Sequence, residues 1–168
     1  MHGYVKFAAL GMAFALAGCG SGVQSGGKAC TAIGGLTGIG LDVAPSLAAG
    51  VERASLRVCW DGACHTPELR LDPATSAAPQ TCTGTGPDDT CGASVVRTGG
   101  LTGFAMVPDL PKRPVQVTLK LHGSGPEPAL DRSLTVTPRG SFPNGPDCGE
   151  QGVQARLTAE DGRLRAHP

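Results

Sequence analysis

Cysteine is the residue type with the most chemistry to offer in this chain, which has seven cysteines among 168 residues. Thiols form disulfides, bind metal ions or act as nucleophiles, and their spacing helps to distinguish these uses. Cys19 follows an apolar run near the amino terminus and stands apart from the rest. The other six are an even number, which is typical of a disulfide framework. They are Cys30, Cys59, Cys64, Cys82, Cys91 and Cys148.

The residues before Cys19 have the three parts of an export signal in the expected order. Residues 1–6 are weakly basic, residues 7–15 are apolar, and Leu16-Ala17-Gly18 precedes the cysteine. An apolar run this short does not cross a bilayer core of about 30 Å, which takes a helix of about 20 residues. The pattern therefore predicts a signal peptide over residues 1–18 that is removed from the mature protein.

The sequence Leu16-Ala17-Gly18-Cys19 resembles the lipobox of bacterial lipoproteins. The resemblance implies that the Cys19 sulfur receives a diacylglycerol, with palmitate-like chains, and that the mature chain begins there. Such a protein is exported and lipid-anchored to the outward face of the cell membrane, or to an outer membrane where the source has one. Its partners would be the membrane, through Cys19, and an envelope protein. The alternative is an ordinary secretory signal cleaved near Gly18, which would leave Cys19 as a thiol.

Composition and patterning predict one folded domain after a short linker. Residues 19–29 are rich in Gly and Ser and predict a flexible tether. Residues 30–168 are long enough for a single core and carry short alternating apolar runs without a helical period. The clearest run, residues 115–121, has apolar residues at every odd position. Further strands are predicted over residues 39–43, 54–60, 63–71, 94–97, 101–107, 130–137 and 153–159 and around Leu164.

These strands predict an all-β fold, an antiparallel β-sandwich of about seven to nine short strands braced by disulfides. Frequent turns, including Asp61-Gly62 and Asp161-Gly162, favour hairpins over helical crossovers. Residues 103–121 resemble the strand-turn-strand units of immunoglobulin-like and prealbumin-like sandwiches. The high content of Gly, Ala and Pro is similar to that of small exported lipoproteins from bacteria with GC-rich genomes.

Hairpin geometry narrows the fifteen pairings that six cysteines allow. A two-residue turn at Asp61-Gly62 places Cys59 opposite Cys64 as a non-hydrogen-bonded pair, within disulfide reach. It also places Trp60 on the core face and His65, opposite Val58, on the same inward face, where we expect a partly buried histidine rather than a catalytic base. Conditional on that pair, we expect one disulfide to close the loop between the next two cysteines and the other to join the first and last. These pairs are Cys82 with Cys91 and Cys30 with Cys148.

Other chemistry fits the spacing less well. The cysteines lack the paired short spacings of zinc sites and contain no Cys-x-x-Cys redox motif. Asp88 and Asp89 are too few oxygen ligands for a calcium site, and the sequence has no EF-hand pattern. A hydrolase remains a weak alternative that requires His65 or His122 to meet an Asp and a Ser in a cleft. The sequence thus predicts no catalytic residues, no cofactor and no metal site.

Charge and motifs favour an interaction role. The chain has 14 Lys and Arg against 14 Asp and Glu, which does not suggest the clustered positive charge that nucleic acids require. We therefore expect a non-enzymatic, membrane-anchored envelope lipoprotein that acts as an interaction or accessory module. The alternative is an envelope carrier of a small ligand or metal.

Overall fold

The computed structural model of the protein describes residues 29–167. The predicted signal peptide, Cys19 and all but the last residue of the predicted tether lie outside these residues. Within them more than half of the residues lie in β-strands and very few in helices, so the prediction of an all-β fold is confirmed. In chain order the elements are β1 (Gly38–Val43), α1 (Pro45–Ala48), β2 (Arg53–Trp60), β3 (Ala63–His65), β4 (Leu71–Ala77), β5 (Thr81–Cys82), β6 (Cys91–Gly92), β7 (Val95–Met106), β8 (Val115–His122), β9 (Pro128–Val136), β10 (Arg139–Ser141), β11 (Gly152–Glu160) and β12 (Arg163–Ala166).

Two sheets form the body of the domain. The larger has six strands in the order β10-β11-β1-β7-β4, with β12 paired to β11 on the same side as β10. The smaller has four strands in the order β3-β2-β8-β9. Strands β5 and β6 form a separate two-stranded sheet. A one-turn 3-10 helix, Pro146–Cys148, precedes β11.

One strand pair departs from the antiparallel pattern. Strands β1 and β11 run parallel, from Gly38 opposite Gln154 to Val43 opposite Ala159. Every other strand pair that the structure describes is antiparallel. The pairing joins the first strand of the domain to a strand from its carboxy-terminal end, so both ends of the domain's sequence contribute interior strands to the larger sheet.

The core lies between the two sheets and follows the period of two that the sequence shows. Ile39 and Leu41 of β1, and Leu119 and Leu121 of β8, are no more than 1% exposed, while the residues that alternate with them, apart from Gly38, are partly or fully exposed. Burying an aliphatic side chain of this size stabilises the fold by roughly 1.5–3 kcal/mol relative to leaving it in water. The alternating apolar positions are therefore what fixes which face of each strand packs inward.

Two strand predictions were wrong in extent. Residues 63–71 were expected to be one strand, but β3 ends at His65 and β4 begins only at Leu71, in the other sheet. The predicted strands at 94–97 and 101–107 are the two parts of β7, with Gly99 between them at a φ of 83°. The twelve strands of the described region exceed the expected seven to nine because several are only two or three residues long.

Residues 75–97 form a hairpin that we call the arm. It consists of the outer parts of β4 and β7 and of the short strands β5 and β6. The pairing shifts register between Pro73 and Thr75, where the arm begins. Nearly all residues of the arm are exposed on both faces, so it extends from the sandwich rather than packing on it.

Candidate functional site

The six cysteines of the described region form three disulfides. Cys59 pairs with Cys64 across the β2–β3 hairpin, and Cys82 pairs with Cys91 across the arm. Cys30 pairs with Cys148, at a sequence separation of 118 residues. The first pair is the one that the hairpin geometry predicts, and the other two are those expected conditional on it. The remaining cysteine, Cys19, lies outside the described residues. In the loop-closure model the Cys30–Cys148 disulfide, which closes the longest of the three loops, stabilises the fold by roughly 5 kcal/mol because it lowers the entropy of the unfolded chain.

Side-chain hydrogen bonds fasten the segment after Cys30 to the segment before β11. The Asn144 amide donates to the Ile33 carbonyl oxygen at 2.8 Å, and its side-chain oxygen accepts from Thr31. The Gln154 amide donates to the Leu36 carbonyl oxygen at 2.7 Å. Together with the disulfide, these bonds fix where the chain enters the domain.

The strand directions place this entry point at one end of the sandwich. Strands β1 and β11 begin there, β7 ends there opposite Gly38, and β8 begins after the intervening loop. We call this the tether end. It comprises residues 30–37, the turn at Asp61-Gly62, residues 107–114 and residues 142–151. The arm leaves from the opposite end, where β7 pairs with Val43.

Large apolar side chains are exposed at both ends. At the tether end Ile33, Leu36 and Phe142 are 56%, 51% and 45% exposed. On the arm Val95 and Val96 are 69% and 51% exposed. Met106, where β7 ends opposite Gly38, is also 51% exposed. The exposed large apolar side chains of the described region thus lie on or beside these two ends, which are the apolar candidates for contact with other molecules.

An open groove of about 240 Å³ lies on the outer face of the larger sheet. It forms where β10 and β12 both pair with β11 but leave a gap between Gln154 and Leu157. We call it the sheet groove. Its lining combines small residues, one aromatic ring and several polar groups: Gly40, Phe104, Thr137, Arg139, Gly140, Ser141, Gln154, Ala155, Arg156 and His167.

A charged pair stands at the side of the sheet groove. The Arg156 guanidinium donates from Nε and Nη2 to the two carboxylate oxygens of Asp42 at 2.7 and 3.1 Å. Thr102 donates its hydroxyl to the same carboxylate at 2.9 Å. The Arg156 hydrogen bond lowers the pKa of Asp42 below its ordinary value, against the raising effect of burial, and the Thr102 bond lowers it further.

The other two basic residues of the groove are placed differently. His167 is held by its backbone N–H, which donates to the Arg156 carbonyl oxygen at 2.9 Å, and by a 2.6 Å contact between its Nε2 and the Thr158 hydroxyl. Arg139 lies within 4.0 Å of no carboxylate among residues 29–167. A guanidinium that has no acidic neighbour can donate hydrogen bonds to a carboxylate or phosphate group of a ligand, and His167 lines the same groove.

The structure corrects one expectation about histidine. His65 lies opposite Val58 as the hairpin register predicts, but it is exposed rather than partly buried. Strand β3 is at the edge of its sheet, and His65 stacks on Trp60 with ring centroids 4.2 Å apart. Trp60 is partly buried and packs against the core, as expected. On the face predicted to point inward, Trp60 therefore contacts the core, whereas His65 lies beyond the core and is exposed to solvent.

The hydrolase alternative gains a contact but no complete catalytic set. The Ser55 hydroxyl is 3.4 Å from His122 Nε2 on the outer face of the smaller sheet. Asp131, on the same face, pairs instead with Lys120 at 2.9 Å. In the arm, Asp89 accepts from the Gly86 N–H and from Thr83. Within residues 29–167 no three potential ligands among His, Cys, Asp and Glu are grouped to hold a metal ion.

No protein-family model, curated protein or solved structure matches the chain. Among the described residues, no helix is long and apolar enough to cross a membrane. Inferences about the three candidate regions, which are the tether end, the sheet groove and the arm, therefore depend on the sequence and on the structure alone.

Proposed function

We propose that the protein is a lipid-anchored cell-envelope protein whose β-sandwich acts as an interaction or accessory module. The observation that carries the proposal is the sequence Leu16-Ala17-Gly18-Cys19 after a short apolar run. The disulfides support it, because disulfides form and persist in oxidising compartments outside the cytoplasm. An acylated Cys19 would hold the protein at a membrane from the tether end.

The arm supports the interaction role. It leaves the sandwich at the end opposite Cys30, so it points away from the predicted anchor. A disulfide closes its tip, and its two valines are exposed. A preformed hairpin loses less conformational entropy on binding than a disordered segment, so it is suited to docking against a partner protein.

Metabolic labelling with a palmitate analogue tests the anchor. The wild-type protein, expressed in a lipoprotein-processing bacterium, should incorporate the label, remain with the membrane fraction and carry the acyl mass on Cys19. The Cys19→Ser variant should lose the label and appear in the soluble exported fraction. The matched control is the Cys59→Ser/Cys64→Ser variant, which removes two other cysteines and should keep the label. An unlabelled, soluble wild-type protein would overturn the proposal.

Site-specific photocrosslinking tests the role of the arm. A photoreactive residue at Val96 should give a discrete adduct in cells, and an excess of the unlabelled protein should compete it away. The same residue at Arg53, which lies on the outer face of the smaller sheet, is the control and should give no adduct of that mass. Equal crosslinking from both positions would assign the contact to chance encounter.

The sheet groove favours a second candidate function, the binding of a small anionic ligand. Arg139 supplies positive charge, His167 supplies an imidazole ring, and Phe104 supplies an apolar wall. Chemical-shift titration of the full chain with acetate and with inorganic phosphate tests this. Saturable shifts should centre on the groove and disappear in Arg139→Ala but persist in Arg57→Ala, an equal charge change on the other sheet. Shifts spread over both faces would contradict a groove site.

A further inference from the structure

The exposed apolar residues of the tether end lie on two segments that are fastened together. Ile33 and Leu36 precede β1, and Phe142 follows β10. The Asn144 side chain bonds the Ile33 carbonyl oxygen, and the Cys30–Cys148 disulfide closes the same pair of segments. Cross-linked segments hold their shape, so these three side chains are presented to solvent from a fixed surface rather than from loose loops.

The covalent distance to the predicted lipid places this surface near a membrane. Eleven residue steps separate Cys19 from Cys30, and a fully extended chain of that length spans at most about 40 Å. The arm leaves from the other end of the sandwich and is farther from the anchor along the fold. Tethering of this kind raises the effective concentration of the near surface at the bilayer, so even a weak affinity is enough for contact.

We propose that the tether end rests on the phospholipid surface, with Ile33, Leu36 and Phe142 in contact with the interfacial layer. The inference rests on the proposed lipid attachment at Cys19. Contact of these side chains with lipid removes apolar area from water in the same way that a folded core does. It would orient the sandwich so that the arm faces outward from the membrane.

Charge at the tether end favours an apolar contact over an electrostatic one. Lys112 pairs with Glu150 at 2.8 Å, and Arg113 pairs with Asp61. Both basic residues of loop 107–114 are thus already matched by acidic neighbours. The tether end has two further acidic residues and no further basic one. Its contact with the bilayer should therefore not require anionic phospholipid, unlike the contact of a polybasic segment.

Hydrogen exchange on the acylated full-length mature protein in phosphatidylcholine vesicles tests the proposal. Its reference is the unlipidated Cys19→Ser protein in buffer. Peptides covering residues 31–37 and 141–151 should exchange several-fold more slowly on vesicles, whereas peptides of the arm should exchange at the same rate in both states. Adding phosphatidylglycerol should not increase this protection.

A triple variant and a matched control separate the lipid contact from other effects. In Ile33→Ser/Leu36→Ser/Phe142→Ser the protection should disappear while the acyl mass on Cys19 and vesicle association remain. In Val95→Ser/Val96→Ser, which changes exposed apolar residues of the arm, the protection should persist. Because all five side chains are exposed, both variants should retain the wild-type circular dichroism.

Three results would overturn the proposal that the tether end rests on the phospholipid surface. They are equal exchange with and without vesicles, protection that includes the arm, and protection that increases with the protein-to-lipid ratio, which would mean that a second copy covers this end. Failure of the anchor itself is distinguishable, because the wild-type protein would then lack the acyl mass and would not remain with vesicles.

Discussion

Two hairpins of this domain carry the same covalent brace in different surroundings. In each, a disulfide joins residues that lie directly opposite one another on antiparallel strands: Cys59 with Cys64, and Cys82 with Cys91. Their Cα separations are 4.1 and 4.0 Å. In the β2–β3 hairpin, strand β2 lays its inner face on the core, where Val58 is fully buried, whereas the three residues of β3 are exposed. The arm has solvent on both faces.

The comparison separates what a disulfide contributes from what burial contributes. An isolated two-stranded hairpin is at best marginally stable in water, so the arm depends on its disulfide to remain ordered. The β2–β3 hairpin has a second source of order, because strand β2 is packed into the core. We therefore expect equal chemical changes in the two hairpins to have unequal consequences, and the following predictions test this in order of decreasing effect.

Truncation of a buried side chain in the body should have the largest effect. Leu56 of β2 is 1% exposed, and Leu56→Ala should lower the free energy of unfolding by about 2–5 kcal/mol because it leaves a cavity in the core. Val96→Ala in the arm should change it by less than about 0.5 kcal/mol, since the side chain is already in solvent. Urea unfolding with the disulfides intact measures both. Similar losses would mean that the arm is packed against the body.

Removal of the arm disulfide should disorder the arm without unfolding the sandwich. In the loop-closure model the Cys82–Cys91 link, with a sequence separation of 9, constrains the unfolded arm by about 2–3 kcal/mol. The Cys82→Ser/Cys91→Ser variant should therefore show faster hydrogen exchange over residues 75–97, with an unchanged unfolding midpoint for the body. A lowered midpoint would show that the arm and the body unfold together.

The sequence reveals the local features of this comparison and misses the long-range ones. Alternation identifies the buried strands, and the two-residue turn at Asp61-Gly62 sets Cys59 opposite Cys64, because both features act over a few residues. The parallel pairing of β1 with β11 joins segments more than a hundred residues apart. Their alternating pattern states which face is buried but names no partner strand.

The same limit applies to the candidate sites. Lining residues of the sheet groove come from β1, β7, β10 and β11, from the link between β9 and β10 and from the segment after β12, so no short motif marks it. The arm could have been suspected from the run of Gly, Thr and Asp between Cys82 and Cys91, although its length depends on the register shift after Pro73. His65 was misplaced because alternation predicts the side of a strand but not whether that side extends beyond the core.

Removal of the disulfide from the β2–β3 hairpin should have a smaller and different effect. The separation of 5 residues corresponds to about 2 kcal/mol in the loop-closure model. In Cys59→Ser/Cys64→Ser this loss should appear in global unfolding, because β2 is part of the core sheet. Exchange at Val58, whose side chain is buried against the other sheet, should stay slow under native conditions. Rapid local exchange there would show that the disulfide, rather than packing, orders this hairpin.

The smallest expected effect belongs to the Asp42–Arg156 ion pair on the outer face of the larger sheet. Because this pair is partly exposed to solvent, we expect it to add little to the stability of the packed body. Because the folded pKa of Asp42 lies below the ordinary value of 3.8, its stabilisation is present above the unfolded pKa. It is lost as the pH falls through the folded pKa. Asp42→Asn should thus be less stable than wild type by up to about 1 kcal/mol at pH 7, and the difference should shrink below about pH 4.

The control Asp72→Asn removes a carboxylate that lies 3.8 Å from Arg70. The side chains of this pair are 64% and 84% exposed, so the effect of Asp72→Asn should be near zero at both pH values. A difference for Asp42→Asn that does not change with pH would mean that the amide disturbs the Thr102 hydrogen bond and that charge contributes nothing.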